Sequence, residues 1–301
     1  MTKARFDEVV MVDWSAAASP RTGKDSLWIA RGTTRGHLST ANWPTRRKAV
    51  AVLEEMLDSA MAAERRVLVG FDFAFGYPAG FAARLGEGGQ PWERAWRYLA
   101  SRIVDSDENA NDRFAVAAEV NRALGVAAFW GCPKALAGLS PRLKEPPAGL
   151  APNPFPSLRH TDTLAGHGIR SVWQLYGGVT VGSQVLMGLP YLQRLRDRYD
   201  DRLLVWPQQT GFVPAPLGTT EEGRILLVEI WPTALHPLYT EGAIRDETQV
   251  RWCVRRSLER QESTGGLGSW FAPPAALRLD VAARAVAGSE EGWILGVGAG
   301  T

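Results

Sequence analysis

Short apolar blocks recur along the first third of the chain, and their period changes once. Glu8 to Ser15, Ser26 to Gly32 and Gly36 to Asn42 read as three strands, with Thr33-Thr34-Arg35 turning the second into the third. At Thr45 the spacing lengthens. Ala49, Val52, Leu53, Met56 and Leu57 recur at helical intervals among Arg46, Arg47, Glu54, Glu55 and Asp58, so Thr45 is expected to cap a helix. Val67 to Phe75 then reads as a strong strand. The middle is less regular: Pro91 to Val104 and Asn109 to Leu124 predict helices, but Gly131 to Ser157 carries Pro146, Pro147, Pro152, Pro154 and Pro156, which prevent regular structure. After a turn at Gly177-Gly178, Val181 to Tyr199 predicts a helix, and Leu203 to Trp206 and Ile225 to Ile230 predict strands. Asp246 to Glu262 and Pro274 to Ala287 predict the last two helices.

Strand, strand, strand, helix, strand is the opening order of an RNase H-like domain, in which the first and fourth strands lie side by side and parallel. The expectation is an α/β fold with a mixed sheet flanked by helices. It covers 1–301 as one domain, with a helical and loop insertion at about 78–200 over one face; no internal repeat or long polar linker marks a boundary.

Composition narrows the function classes. With 45% hydrophobic and 22% charged residues among 301, the chain can fill a core and is not of disordered type. No apolar run approaches the roughly 18 residues of a membrane span, and Val9 to Val12 is too short for a signal-peptide core. Cys132 and Cys253 lie far apart without metal-ligand spacing, which suits buried thiols in a reducing compartment. A cytoplasmic location without membrane partners is the expectation. The net charge of +2 gives no global attraction to nucleic acid, so any such binding must be local. Thr22-Gly23-Lys24-Asp25-Ser26 lacks the leading glycine of a phosphate loop, no serine sits in a G-x-S-x-G elbow, and His37, His160, His167 and His236 form no i, i+4 pair. These absences disfavour a phosphate-loop enzyme, a serine hydrolase and a zinc enzyme.

The informative pattern is an apolar run closed by one acid, and it occurs three times. Val9-Val10-Met11-Val12 ends in Asp13, Val67 to Phe71 in Asp72, and Ile225-Leu226-Leu227-Val228 in Glu229. By strand alternation Asp13 shares a face with Val9 and Met11, Asp72 with Leu68 and Gly70, and Glu229 with Ile225 and Leu227. Each acid therefore points where apolar residues point. An unpaired buried carboxylate is costly, so such acids need a cation, strong donors or an open cleft, and one metal ion would satisfy all three. The plainer alternative is that each acid marks a strand end, where Asp commonly makes a turn. Asp280, on the small-residue helix from Ala275 to Ala283, is a fourth candidate whose alternative is an ion pair with Arg284.

The segments VDWSAAASP at 12–20, VGFDFAFGYP at 69–78, VEIWPTALHP at 228–237 and LDVAARAVAG at 279–288 resemble a bacterial family of unknown function predicted to be RNase H-fold nucleases. LRHTDTLAGHGIRSVWQLYGGVTVGSQVLMGLPYL at 158–192 is similar to it as well. The resemblance implies metal-binding, catalytic acids at Asp13, Asp72, Glu229 and Asp280, holding one or two Mg²⁺ or Mn²⁺ ions that activate water against a phosphodiester. Some relatives carry a molybdopterin-guanine dinucleotide synthesis label, which no motif here supports. Ser15, Arg159, Thr161, Gln174 and Ser183 are candidates for contacting phosphate or sugar, the alternative being ordinary loop and helix-end hydrogen bonds. Trp14 departs from related folds that hold nucleotide phosphates, which place a small residue after the first Asp.

A metal-dependent phosphodiester hydrolase, with nucleic acid or a nucleotide-type phosphodiester as substrate, is the first expectation. The competing readings are a non-catalytic ligand-binding or assembly protein on the same fold, and a phosphotransferase of the actin and sugar-kinase type. The last should show two related halves and a second glycine-rich phosphate loop, and neither is found.

Overall fold

The computed structural model describes residues 5–136, 148–166, 168–178, 180–218, 223–235, 239 and 243–299. In it β1 (Glu8–Asp13) pairs antiparallel with β2 (Leu27–Thr33), which pairs antiparallel with β3 (Leu38–Trp43). The turn between them closes by the Gly36 N–H donating to the Thr33 carbonyl at 3.0 Å, with Gly36 at φ +86°, where a side chain would strain the backbone. Thr45 caps α1 (Arg46–Ala62) through its side chain, which accepts from the Lys48 N–H. On the other side of β1, β4 (Val67–Phe71) runs parallel to it, as the strand order predicts.

The segment between 72 and 200 supplies α2 (Pro91–Ala100), α3 (Arg113–Leu124), a two-residue parallel pair of β5 (Val126–Ala127) and β6 (Ala151–Pro152), α4 (His160–Ala165) and α5 (Gly182–Tyr199). Two further strands, β7 (Leu203–Val205) and β8 (Ile225–Glu229), complete a six-stranded mixed sheet in the order β3-β2-β1-β4-β8-β7. β1, β4, β8 and β7 are mutually parallel. The chain continues through α6 (Arg245–Glu262), α7 (Gly268–Phe271), α8 (Ala275–Leu279) and α9 (Val281–Val286). Among the described residues no helix is long and apolar enough to cross a membrane.

Strand alternation divides the core in two. Val10, Val12, Val69, Phe71, Ile225 and Leu227 face α1, α5 and the 72–200 segment. Val9, Met11, Leu68, Leu226 and Val228 face α6 and the C-terminal helices. Close approach is written into two glycines: a side chain at Gly70 would collide with the Met11 sulfur and Ile230, and one at Gly188 of α5 would enter the Phe73 ring. On α6 the buried positions Val250, Cys253, Val254, Ser257 and Gln261 form one stripe at helical spacing.

Several expected boundaries shift: the first strand ends at Asp13, and the helix expected from Asn109 starts at Arg113. The strand expected through Phe75 leaves the sheet after Phe71, because Phe73 and Phe75 turn into an aromatic cluster with Trp14 and Trp96. The helix expected through Val104 ends at Ala100. The helix expected from Pro274 to Ala287 is broken at Asp280 into α8 and α9, and Leu279 and Val281 beside the break are exposed. The proline-rich run at 131–157 holds only short elements in its described part; Pro146 and Pro147 lie outside the described residues.

Candidate active site

Register decides which strand-end acids meet. Val9 pairs with Leu68 in β1–β4, so Asp13 at the end of β1 lies level with Asp72, one residue beyond the β4 ladder. In β4–β8, Leu68 pairs with Leu226 and Phe71 with Glu229, so Glu229 is one residue out of phase with Asp72. It belongs with Ile225 and Leu227 on the opposite face. Of the three acids expected at one site, Asp13 and Asp72 share one cavity, while Glu229 lines a second, smaller one of about 130 Å³ together with Asp72 and Arg159.

Asp13 is 8% exposed, yet its carboxylate has no hydrogen-bond or ion-pair partner among the described residues. Asp72 accepts from the Trp14 N–H at 2.7 Å and likewise has no cation paired to it. Burial pushes the Asp13 carboxyl well above the usual carboxylate range, and the neighbouring charges of Asp72, Asp246 and Asp25 push it further. Asp72 rises to about 7, again chiefly through burial, despite its backbone donors. Beneath them Cys253 of α6 is buried, and burial together with Asp72 and Asp13 holds its thiol protonated.

The two acids line a cavity of about 860 Å³. Asp246, not singled out from sequence, lines it too; burial raises its carboxyl, and its Oδ2 accepts from the Asp25 N–H at 2.6 Å. A signal for it exists, since Asp246 stands one turn before Val250 on the apolar stripe of α6. Four cations, Arg21, Lys24, Arg113 and Arg245, line the same cavity. Arg113 donates to Ser183 Oγ at 2.9 Å and Asn111 Oδ1 at 2.7 Å, both neutral, and among the described residues it forms no ion pair, with Asp105 the nearby acid that favours its charge. Burial and the nearby Arg46 lower it to about 10, which still leaves it protonated at neutral pH.

The loop after β1 is held from below. Arg46, fully buried, pairs with Asp105 at 2.6 Å and donates to the Ser15 and Ala17 carbonyls at 3.0 and 2.8 Å, while Gln184 of α5 donates to the Trp14 carbonyl at 2.8 Å. Trp14 itself turns inward. Its ring is 1% exposed and packs against Phe71, Phe73 and Tyr191, with centroids 5.2–6.0 Å away.

Of the other sequence candidates, Ser15 and Ser183 line the cavity. Arg159, expected to touch substrate, is instead buried in a fork with Glu229 at 2.6 and 2.7 Å and with Asp162 at 2.8 and 3.1 Å. That fork satisfies Glu229, which also accepts from the Phe75 N–H at 3.0 Å. Thr161 is buried and accepts from the Ile294 N–H at 3.2 Å, and Gln174 bridges to Trp130 outside the cavity. Asp280 is exposed, and its Oδ1 caps α9 by accepting from the Ala283 N–H at 2.8 Å. Neither the metal role nor the Arg284 ion pair describes it. Asp280→Ala should cost about 1 kcal/mol in chemical denaturation, the usual value of a lost cap, and leave any divalent-ion response unchanged.

Among the described residues, no three His, Cys, Asp or Glu side chains converge tightly enough to form a metal cage. No family model, curated protein or solved structure matches the chain.

The raised acids set a pH dependence. A carboxyl whose pKa is higher folded than unfolded holds its proton more tightly in the folded state, so its contribution favours folding at low pH and is lost as pH rises through the folded value. For Asp72 that window runs from 3.8 to about 7. Without divalent ions the thermal midpoint should therefore fall between pH 5 and 8; a midpoint that climbs across this range would contradict the raised values.

Proposed function

We propose that this cavity hydrolyses phosphodiesters with a divalent cation, Mg²⁺ or Mn²⁺, held by Asp13 and Asp72 on an RNase H-like core. The observation that carries the reading is a pair of cation-free carboxylates, Asp13 buried and Asp72 half-buried, that end neighbouring parallel strands and line one cavity. The strand order and directions fit that core, and open α/β sheets commonly bind ligands beyond the carboxyl ends of their parallel strands.

The donor set fits a hard cation. Mg²⁺ is usually bound by one or two carboxylates, with water and substrate phosphate completing its shell, so two acids suffice without a protein cage. When bound, such an ion supplies an activated water and stabilises charge on the leaving oxygen. The chain's own groups do the rest. The Trp14 N–H fixes one oxygen of Asp72, and Arg46 and Gln184 hold the adjoining loop so that Asp13 keeps its place. Arg113 offers its charge to a phosphate on the wall above the acids.

The test is to incubate purified protein with Mg²⁺ or Mn²⁺ and a panel running from bis(p-nitrophenyl) phosphate through dinucleotides to short structured RNA and duplex DNA. Metal-dependent cleavage of at least one small or structured member is expected. No metal-dependent cleavage anywhere in the panel would overturn the proposal and favour a ligand-binding protein.

A further inference from the structure

We infer that the cavity is a nucleotide-sized site, in which Tyr176 stacks a base and Arg113 holds the attached phosphate. This names a substrate class for the proposed hydrolase and rests on that reading only for the chemistry, not for binding.

Tyr176 lines the same cavity as Asp13 and Asp72 but is 51% exposed, unlike the buried aromatic residues around it. Its ring packs roughly perpendicular to that of Phe114, with centroids 6.4 Å apart, and the Arg113 guanidinium lies over that same Phe114 ring at 4.4 Å. One buried ring therefore backs both a stacking face and a guanidinium that pairs with no carboxylate among the described residues, placing them side by side. Gly177 and Gly178 follow Tyr176, and a side chain at Gly178 would meet nothing within 4 Å, so the rim beside the ring is open. An exposed aromatic face next to a guanidinium is the chemistry that recognises a base joined to a phosphate.

Size and charge select a small ligand over a long one. A volume of about 860 Å³ is within the range of sites that enclose small molecules. The chain as a whole carries a net charge of only +2, which gives no broad positive surface for a polyanionic duplex.

Binding can be measured apart from turnover. Wild type with Ca²⁺, and Asp13→Asn without divalent ions, would be titrated by calorimetry with AMP, ribose 5-phosphate and a 12-base-pair duplex. AMP should bind at least ten-fold more tightly than ribose 5-phosphate. Tyr176→Ala should erase that preference, Tyr176→Phe should keep it, and Arg113→Gln should weaken both ligands about ten-fold, with circular dichroism showing each variant folded. Equal binding of AMP and ribose 5-phosphate, an unchanged preference in Tyr176→Ala, or tighter binding of the duplex would overturn the inference. The expected binding pattern with no metal-dependent cleavage would remove the hydrolase reading and leave this one standing; cleavage without base preference would do the reverse.

Discussion

Replacing Asp72 by Asn is expected to abolish metal-dependent cleavage and, in the same protein, to raise the metal-free thermal midpoint at pH 8. The two effects have one cause. At pH 8 both Asp72 and Asp13 are forced toward charge in a buried site without a cation, and a neutral amide of the same shape removes that repulsion while still accepting from the Trp14 N–H. A rise from 3.8 to about 7 sets an upper bound of about 4 kcal/mol on the stability gain, which solvent reaching the half-buried Asp72 reduces. Removing one of two ion-holding carboxylates should lower turnover by at least about 10³, the scale on which losing a charge-stabilising group acts. Most substitutions of a buried polar group destabilise, so the sign is diagnostic of a site held in a strained state for function. Thermal scans at pH 5 and 8, alongside cleavage assays, check both halves. Asp13→Asn should behave alike. A fall in the midpoint at pH 8 would mean that Asp72 is a structural hydrogen-bond acceptor instead.

Arg159→Met is expected to be the most destabilising single change in this region, by about 3–5 kcal/mol in denaturant unfolding. Removing the guanidinium leaves Glu229 and Asp162 buried together with no cation, and the penalty should shrink as pH falls and Glu229, whose carboxyl burial already raises, takes up a proton. Glu229→Gln, by contrast, should keep the divalent-ion response of the wild type, because Glu229 is spent on Arg159 and the Phe75 N–H. Loss of that response in Glu229→Gln, with Arg159→Met close to wild-type stability, would restore Glu229 as an ion ligand.

The difference between Asp72 and Glu229 shows where reading the sequence stops. Alternation within each strand assigns both acids correctly to a face of their own strand, and all six main strands are placed to within a few residues. Which face of the shared sheet that becomes depends on the pairing of Leu68 with Leu226, a long-range property that no local pattern carries. Asp280 fails for a local reason: the small residues around it favour a helix, but the preference of Asp for capping breaks that helix in two. Asp246 was legible, as an acid extending the apolar stripe of α6, and is masked only by its place in a first turn where acids are common. Arg159 looked like a phosphate contact because an arginine in a loop segment does not announce the two buried carboxylates waiting for it.

The pairing of Asp13 with Asp72 as an ion site can be measured without knowing the substrate. Mn²⁺ titrated into the protein at pH 6.5, by calorimetry in two buffers of different ionisation enthalpy, should bind and release between one and two protons per ion, because both raised acids must give up their protons to take the metal. Both binding and proton release should vanish in Asp13→Asn and Asp72→Asn and persist in Glu229→Gln and Asp280→Asn. Mn²⁺ binding that survives in the Asp13 and Asp72 variants, or no binding to the wild type, would contradict the account.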